Sequence, residues 1–345
     1  MPQNSNISNS SSNISISSEN VGKILTVANF KIAFSQVLVC IFFYINCTML
    51  FTFLRKHSFH QDTRYILFAH MLMVDTLQLL FMDLGVTLAY FFIVAPAGAC
   101  ILFCMIMASL TYFTTLTLTF MCLERYVAIC MPLRHAVIAT VKRTLYAILI
   151  IWLIGSIPSF KELFIIVAIE TVTFYSQRFI CAYDMMIRSK WQSDLMSGVA
   201  LSYFFLMSII VLFTYLKMMQ AARSASADKM LVTKARHTVV LHAFQLLLSL
   251  ITLVCPFVEM TVLQVDIQVF SNLRYFNFVV FSLFPRCLSP LIYGIRDEKF
   301  NSVFQQYVFC GLDHNDICNK HKIHLLLFSV QGLKEMEPGM NVMLV

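Results

Sequence analysis

The chain reads as a series of apolar runs, each about twenty residues long, separated by short stretches that collect the basic residues. A helix rising about 1.5 Å per residue needs roughly 20 apolar residues to cross a hydrocarbon core about 30 Å thick. Residues 32–54 hold no charge and end at Arg55-Lys56, which predicts a first span. Residues 65–90 predict a second, apolar apart from Asp75 and Asp83. From Leu84 to Leu123 no charged residue occurs, a run too long for one helix. Pro96-Ala97-Gly98 divides it, since Pro and Gly punctuate helices, and a third span is placed at 100–124. A fourth follows at 144–164, a fifth at 195–217 and a sixth at 238–260. The seventh, 274–295, is interrupted by Arg286. The pattern predicts seven helices.

Composition gives the pattern its medium. Hydrophobic residues make up 59% of the chain and charged residues 12%, with a mean hydropathy of +0.76. Soluble domains run nearer 45–50% apolar and about 25% charged, so too little polar surface remains to coat a globule in water. The apolar excess must face lipid. The fold class is an all-α membrane protein, a seven-transmembrane helix bundle spanning 29–296, with the lipid bilayer as its first partner. Cytosolic enzymes, disordered chains and nucleic-acid binders are excluded, despite a formal net charge of +7. No nucleophile–base pair or metal-ligand spacing stands out, so neither catalysis nor a cofactor is expected.

Charge sets the orientation. Roughly two-thirds of the 25 Lys and Arg fall on one side, in the first, third and fifth loops and after the seventh span. Positive loops stay in the cytoplasm, which places the N-terminus outside and the protein in the plasma membrane as a multi-pass chain. The Ser/Asn-rich arm 1–28 carries glycosylation sequons at Asn6, Asn9 and Asn13, a modification that requires lumenal exposure. Asn46-Cys47-Thr48 also matches but lies inside the first span. No cleavable signal peptide is visible, so the first span is expected to direct insertion.

The third span ends in Met121-Cys122-Leu123-Glu124-Arg125-Tyr126-Val127-Ala128-Ile129-Cys130-Met131-Pro132-Leu133-Arg134. This run resembles the MAYDRYVAICxPLxY motif of the odorant-receptor branch of rhodopsin-like G-protein-coupled receptors. Lys234-Ala235-Arg236-His237-Thr238 with His242 is similar to that branch's KAxxTCxxH, and Leu288-Ser289-Pro290-Leu291-Ile292-Tyr293 to its LNPLIY. Residues 53–57 and 63–70 resemble the fish-type branch. Ser289 stands where the family has Asn, Glu124 replaces the commoner Asp, and Cys181 is the one cysteine between Phe160 and Leu195.

The resemblance implies a receptor that binds a small-molecule odorant in the outer half of the bundle and activates a heterotrimeric G protein, of the stimulatory type that raises cyclic AMP. Alternatives are a rhodopsin-like receptor for a non-odorant ligand, or a transporter. The activation switch is implied at Glu124, Arg125, Tyr126, Tyr203, His242, Ser289, Pro290 and Tyr293, with Glu124 holding Arg125 at rest. Cys100, 25 residues before Arg125, is implied to pair with Cys181 across the outer surface. Asp75, too costly to leave facing lipid, is grouped with Asn46 as an internal polar site. There Asp75 is either a sodium ligand near Ser289 and Tyr293 or a protonated structural group. Pocket walls are expected at Cys104, Met107, Ala108, Thr111, Tyr112, Leu253 and Tyr275, positions equally suited to plain helix packing. Met107 stands where amine receptors carry an Asp, so the third helix offers no counter-ion to an ammonium ligand. A short amphipathic helix is expected at 297–310, ending at Cys310 as a candidate for palmitoylation, before a tail 311–345 that resembles nothing in the family.

Overall fold

The computed structural model describes residues 5–181, 187–224 and 229–290 together with Phe300 and Phe304; within these, the side chains of 5–25, Ala136 and 222–239 lie outside the description. Among the described residues six helices carry a stretch long and apolar enough to cross a membrane. They are α1 (Ser5–Arg55), α2 (Thr63–Tyr90), α3 (Ala97–Cys130), α5 (Val141–Ile169), α6 (Lys190–Ser224) and α7 (Lys229–Leu263). The seventh is one continuous rod in three parts: α8 (Ile267–Asn277), a π-helical segment Phe278–Leu283, and α9 (Phe284–Ser289). A short α4 (Pro132–Ile138) joins the third and fourth spans. These seven helices form the bundle that the apolar runs predict. A small two-stranded sheet accompanies them outside the spans: β1 (Val94–Pro96) pairs antiparallel with β2 (Arg178–Ile180), Ala95 facing Phe179.

Several helix ends follow from local chemistry. Asp62 caps α2 by accepting from the Arg64 amide, and Thr140 caps α5 by accepting from the Arg143 amide. Asp266 accepts from the amides of Gln268 and Val269 at the start of α8. Pro96 stands at the N-cap of α3, as the Pro-Ala-Gly punctuation predicts. Helices also outrun their apolar cores. The fourth continues past residue 164 to Ile169, and the third begins at Ala97 and ends at Cys130.

The bundle is polar inside and apolar outside. Leu153 and Phe164 are 71% and 73% exposed, while Asn46, Asp75 and Ser289 are fully buried. In lipid this is the favourable sense, because outward apolar surface costs nothing and inward polar groups find one another. Helix α3 lies at the centre, packed on α2, α5, α6 and α7. The main core joins Met49, Leu72, Leu118, Met207, Leu246 and Leu250 from five helices. Phe300, fully buried, closes it from below against Phe59, Phe68 and Tyr65, and Phe304 packs on the same cluster. The rest of the helix expected at 297–310, Cys310, the tail, Tyr293 and the side chains of Asn6, Asn9 and Asn13 lie outside the described residues.

Between α2, α3 and α5 one polar chain sets the packing. Trp152 Nε1 donates to His70 Nε2 at 2.8 Å. An indole N–H only donates, so Nε2 is unprotonated and Nδ1 carries the proton toward Thr117 Oγ1, 3.2 Å away. Thr117 then donates to the Phe113 carbonyl at 2.7 Å. The Trp152 ring stacks on Phe113, centroids 4.9 Å apart.

Candidate functional site

The site is built in three tiers along α3. At the end opposite the disulfide, Pro132 ends α3 and opens α4 at a position where its missing N–H is no loss. The chain turns through Met131 and brings His135 back over the last turns of α3. His135 Nε2 lies 3.1 Å from Glu124 Oε1, and Arg125 Nε lies 3.9 Å from Glu124 Oε2. Glu124 is buried, so two cationic or polar neighbours share its desolvation. Tyr126 packs on Phe213 of α6, ring centroids 6.1 Å apart. His242 of α7 directs Nε2 at the Leu118 carbonyl, 3.2 Å away, pinning the sixth span to the third about 10 Å above Arg125.

The middle tier is Asp75. Ser289 Oγ donates to Oδ2 at 2.8 Å, and Thr114 Oγ1 to Oδ1 at 3.3 Å. Gln245 of α7 donates to Ser289 Oγ at 2.7 Å and to the Pro285 carbonyl at 3.2 Å. Gln78 continues the network, accepting from Thr114 at 3.5 Å and donating to Thr111 Oγ1 at 2.8 Å. Serine is shorter than the asparagine the family motif carries here, yet it reaches the carboxylate. Pro290 is buried beside it. Asn46 is fully buried, and both its side-chain amide atoms lack a hydrogen-bond partner.

The outer tier lies at the disulfide end. Cys100 and Cys181 are bonded with Cα atoms 5.1 Å apart, fastening the segment that carries β2 to the start of α3 beside the β1–β2 pair. Below it a narrow cleft between α3, α5 and α6 is lined by Cys104, Ala108 and Tyr112, with Ser159, Glu162 and Met196 opposite. Three of the expected pocket residues therefore meet in one place. Glu162 is buried there, receives Gln192 Nε2 at 3.0 Å, and pairs with Lys161, whose Nζ is 2.6 Å from Oε1 but off the hydrogen-bonding direction. Another groove, of about 940 Å³, opens on the outer faces of α5 and α6 around Leu153 and Phe164, where acyl chains lie in a membrane.

The remaining expectations are redistributed. Thr111 turns toward α2 and joins the Asp75 network through Gln78. Leu253 packs in the main core. Met107 is half-buried and outside the lining of the cleft, though its carbonyl accepts from Thr111. Tyr275 faces α1 instead: its hydroxyl donates to the Lys31 carbonyl at 3.2 Å, with Lys31 Nζ 5.0 Å from its ring. Tyr203 is also displaced from the expected switch. It packs edge-on to Tyr112 at 5.0 Å and donates to the Ile154 carbonyl at 2.7 Å, about 20 Å along α3 from Arg125. Sequence reading missed Glu162, because the apolar run fades at Lys161 while the helix continues. It missed Gln78, Thr114 and Gln245 because single polar residues in apolar helices carry no motif. Among the described residues no three His, Cys, Asp or Glu side chains gather as a metal site.

Comparison with known proteins agrees with this geometry. The model of the 7 transmembrane receptor (rhodopsin family) matches residues 45–293. The chain is 42% identical over 319 residues to Odorant receptor 131-2 of Danio rerio, covering 91% of this chain and 95% of that protein. Growth hormone secretagogue receptor type 1 is similar over 71 residues only, 42% identical in Rattus norvegicus and 41% in Homo sapiens, or 21% of this chain.

Proposed function

The chain belongs to the rhodopsin family of seven-transmembrane receptors, multi-pass proteins of the plasma membrane and not enzymes, and from that premise we propose that it is an odorant receptor signalling through a stimulatory G protein. The observation that carries the odorant assignment is the near-full-length similarity to a protein of that name. The N-terminal arm is extracellular and glycosylated, the disulfide end faces outward, and Glu124 faces the cytoplasm.

The ligand enters at the cleft of Cys104, Ala108 and Tyr112, which holds about 20 Å³ in this resting arrangement and opens between α3, α5 and α6 to admit a small molecule among apolar walls and a few polar groups. Glu162 and Lys161 supply its charged contacts, so a ligand with a hydrogen-bond donor is preferred over a pure hydrocarbon. A ligand shifts the resting equilibrium only by its differential affinity for the two states. A hydrogen-bonded chain offers the differential contact: Tyr112 of the cleft adjoins Thr111, and from there Gln78, Thr114, Asp75, Ser289 and Gln245 run to the sixth and seventh spans. At the inner end Glu124 releases Arg125 to the G protein, with Tyr126 and His242 rearranging around it and Pro290 and Tyr293 serving the switch from the seventh span.

The test is a panel of amines, amino acids, bile acids and volatile organics applied to cells carrying a cyclic-AMP reporter, with Arg125→Ala as the control. A saturable response that Arg125→Ala abolishes at unchanged surface expression is expected. A full response in that variant refutes the coupling, and uptake or current with the purified chain in proteoliposomes refutes the receptor reading.

A further inference from the structure

Arg286 is 3% exposed inside a membrane bundle, and its Nε finds no hydrogen-bond partner. It stands one turn before Ser289, so the two share a face of the last helix, and Ser289 is the group that reaches Asp75. Asp75 and Arg286 are both buried on this side of the bundle and form no direct ion pair, so their attraction acts across the Ser289 bridge. Beside Ser289 the Oε1 atom of Gln245 is buried without a partner, as are the amide atoms of Asn46 on α1.

The helix itself delivers Arg286 to this place. The π segment Phe278–Leu283 inserts extra chain just before it, turning the following residues about 100° from the face that a 3.6-residue period predicts. Pro285 removes the amide that the Phe281 carbonyl would accept from. Thr252 of α7 supplies the substitute, donating to Phe281 O at 2.6 Å. The irregular stretch is thus held from the neighbouring helix, and its outcome is an inward guanidinium.

The rhodopsin-like family implies a sodium ion beside Asp75. The oxygens of Asp75, Ser289 and Thr114 are of the right kind for a hard cation, but the site already has its positive charge. A guanidinium stays protonated in proteins. Adding sodium would place a second cation beside it and leave one positive charge uncompensated in a low-dielectric interior. The residues present do not fit the ion.

We propose that Arg286 is the resident counter-ion of Asp75, so that the internal polar site of this receptor is closed to sodium. The inference requires the bundle but not the identity of the ligand or G protein. Thermal unfolding of the purified full-length protein in nanodiscs, in sodium chloride against choline chloride at equal ionic strength, reads it directly. The wild type is expected to unfold at the same midpoint in both salts. Arg286→Ser is expected to gain a saturable, sodium-specific rise that a further Asp75→Asn change removes. Sodium-specific stabilisation of the wild type overturns the proposal, as does an Arg286→Ser protein indifferent to sodium. A second measurement needs no purified serine variant. Asp75→Asn strands the guanidinium and is expected to lower surface expression several-fold, and adding Arg286→Gln to restore it. A double variant expressed no better than Asp75→Asn also overturns the pairing.

Discussion

His135 Nε2 approaches the Glu124 carboxylate to 3.1 Å, closer than the 3.9 Å contact of Arg125 with the same group. The loop helix α4 therefore holds Glu124 together with the neighbouring arginine. Because His135 is a partly exposed member of the pair, its contribution is about 1 kcal/mol, near the ordinary net worth of one hydrogen bond. His135→Ala is expected to raise ligand-independent cyclic AMP about five-fold at unchanged surface expression. His135→Gln, which keeps a donor, is expected to stay near wild type. Equal basal signal in all three proteins would show that Glu124 restrains Arg125 without help from His135.

Glu162 is the buried carboxylate lining the outer cleft, between Gln192 and Lys161. Glu162→Gln keeps the shape and removes the charge. The expected outcome is a reordered agonist panel, with donors such as amines losing ten-fold or more in potency and uncharged ligands changing little. Dose–response curves for matched amine and alcohol pairs measure the difference.

The Cys100–Cys181 bond ties the segment carrying β2 to α3 over a sequence separation of 81 residues. Such a bond contributes about 2–4 kcal/mol. Cys181→Ser is expected to reduce surface expression and shorten the half-life of the solubilised receptor on warming. Cys100→Ser/Cys181→Ser should match the single change, since both lack the same bond. Size-exclusion and thermal profiles of the three proteins provide the comparison.

Gly155 of α5 sits so close to Phe113 of α3 that an added Cβ would stand 2.6 Å from the ring. Phe113 cannot retreat easily, because Trp152 stacks on its ring while His70 holds Trp152. Gly155→Leu is expected to cost about 1–3 kcal/mol through overpacking, lowering the unfolding midpoint of the solubilised protein. Gly155→Ala should show a smaller shift of the same sign. A midpoint unchanged in Gly155→Leu would mean that α3 and α5 separate freely here.

The seven spans, their order and the Glu124-Arg125-Tyr126 end of α3 are legible in the residues alone. A span is a local requirement: each run must satisfy its own backbone and match the bilayer thickness, whatever its neighbours do. The facing of each side chain is not local. Tyr203 and Tyr275 carry aromatic rings toward Tyr112 and Lys31 because of how α6 and α8 are rotated in the bundle. No motif encodes that rotation. Glu162 enters the cleft because α5 runs on beyond its apolar core, supported by contacts with α6. Arg286 reads in sequence as a break in an apolar run. Only a π segment held by Thr252 turns it inward toward Asp75, since helix register beyond such a segment depends on the packing that stabilises it.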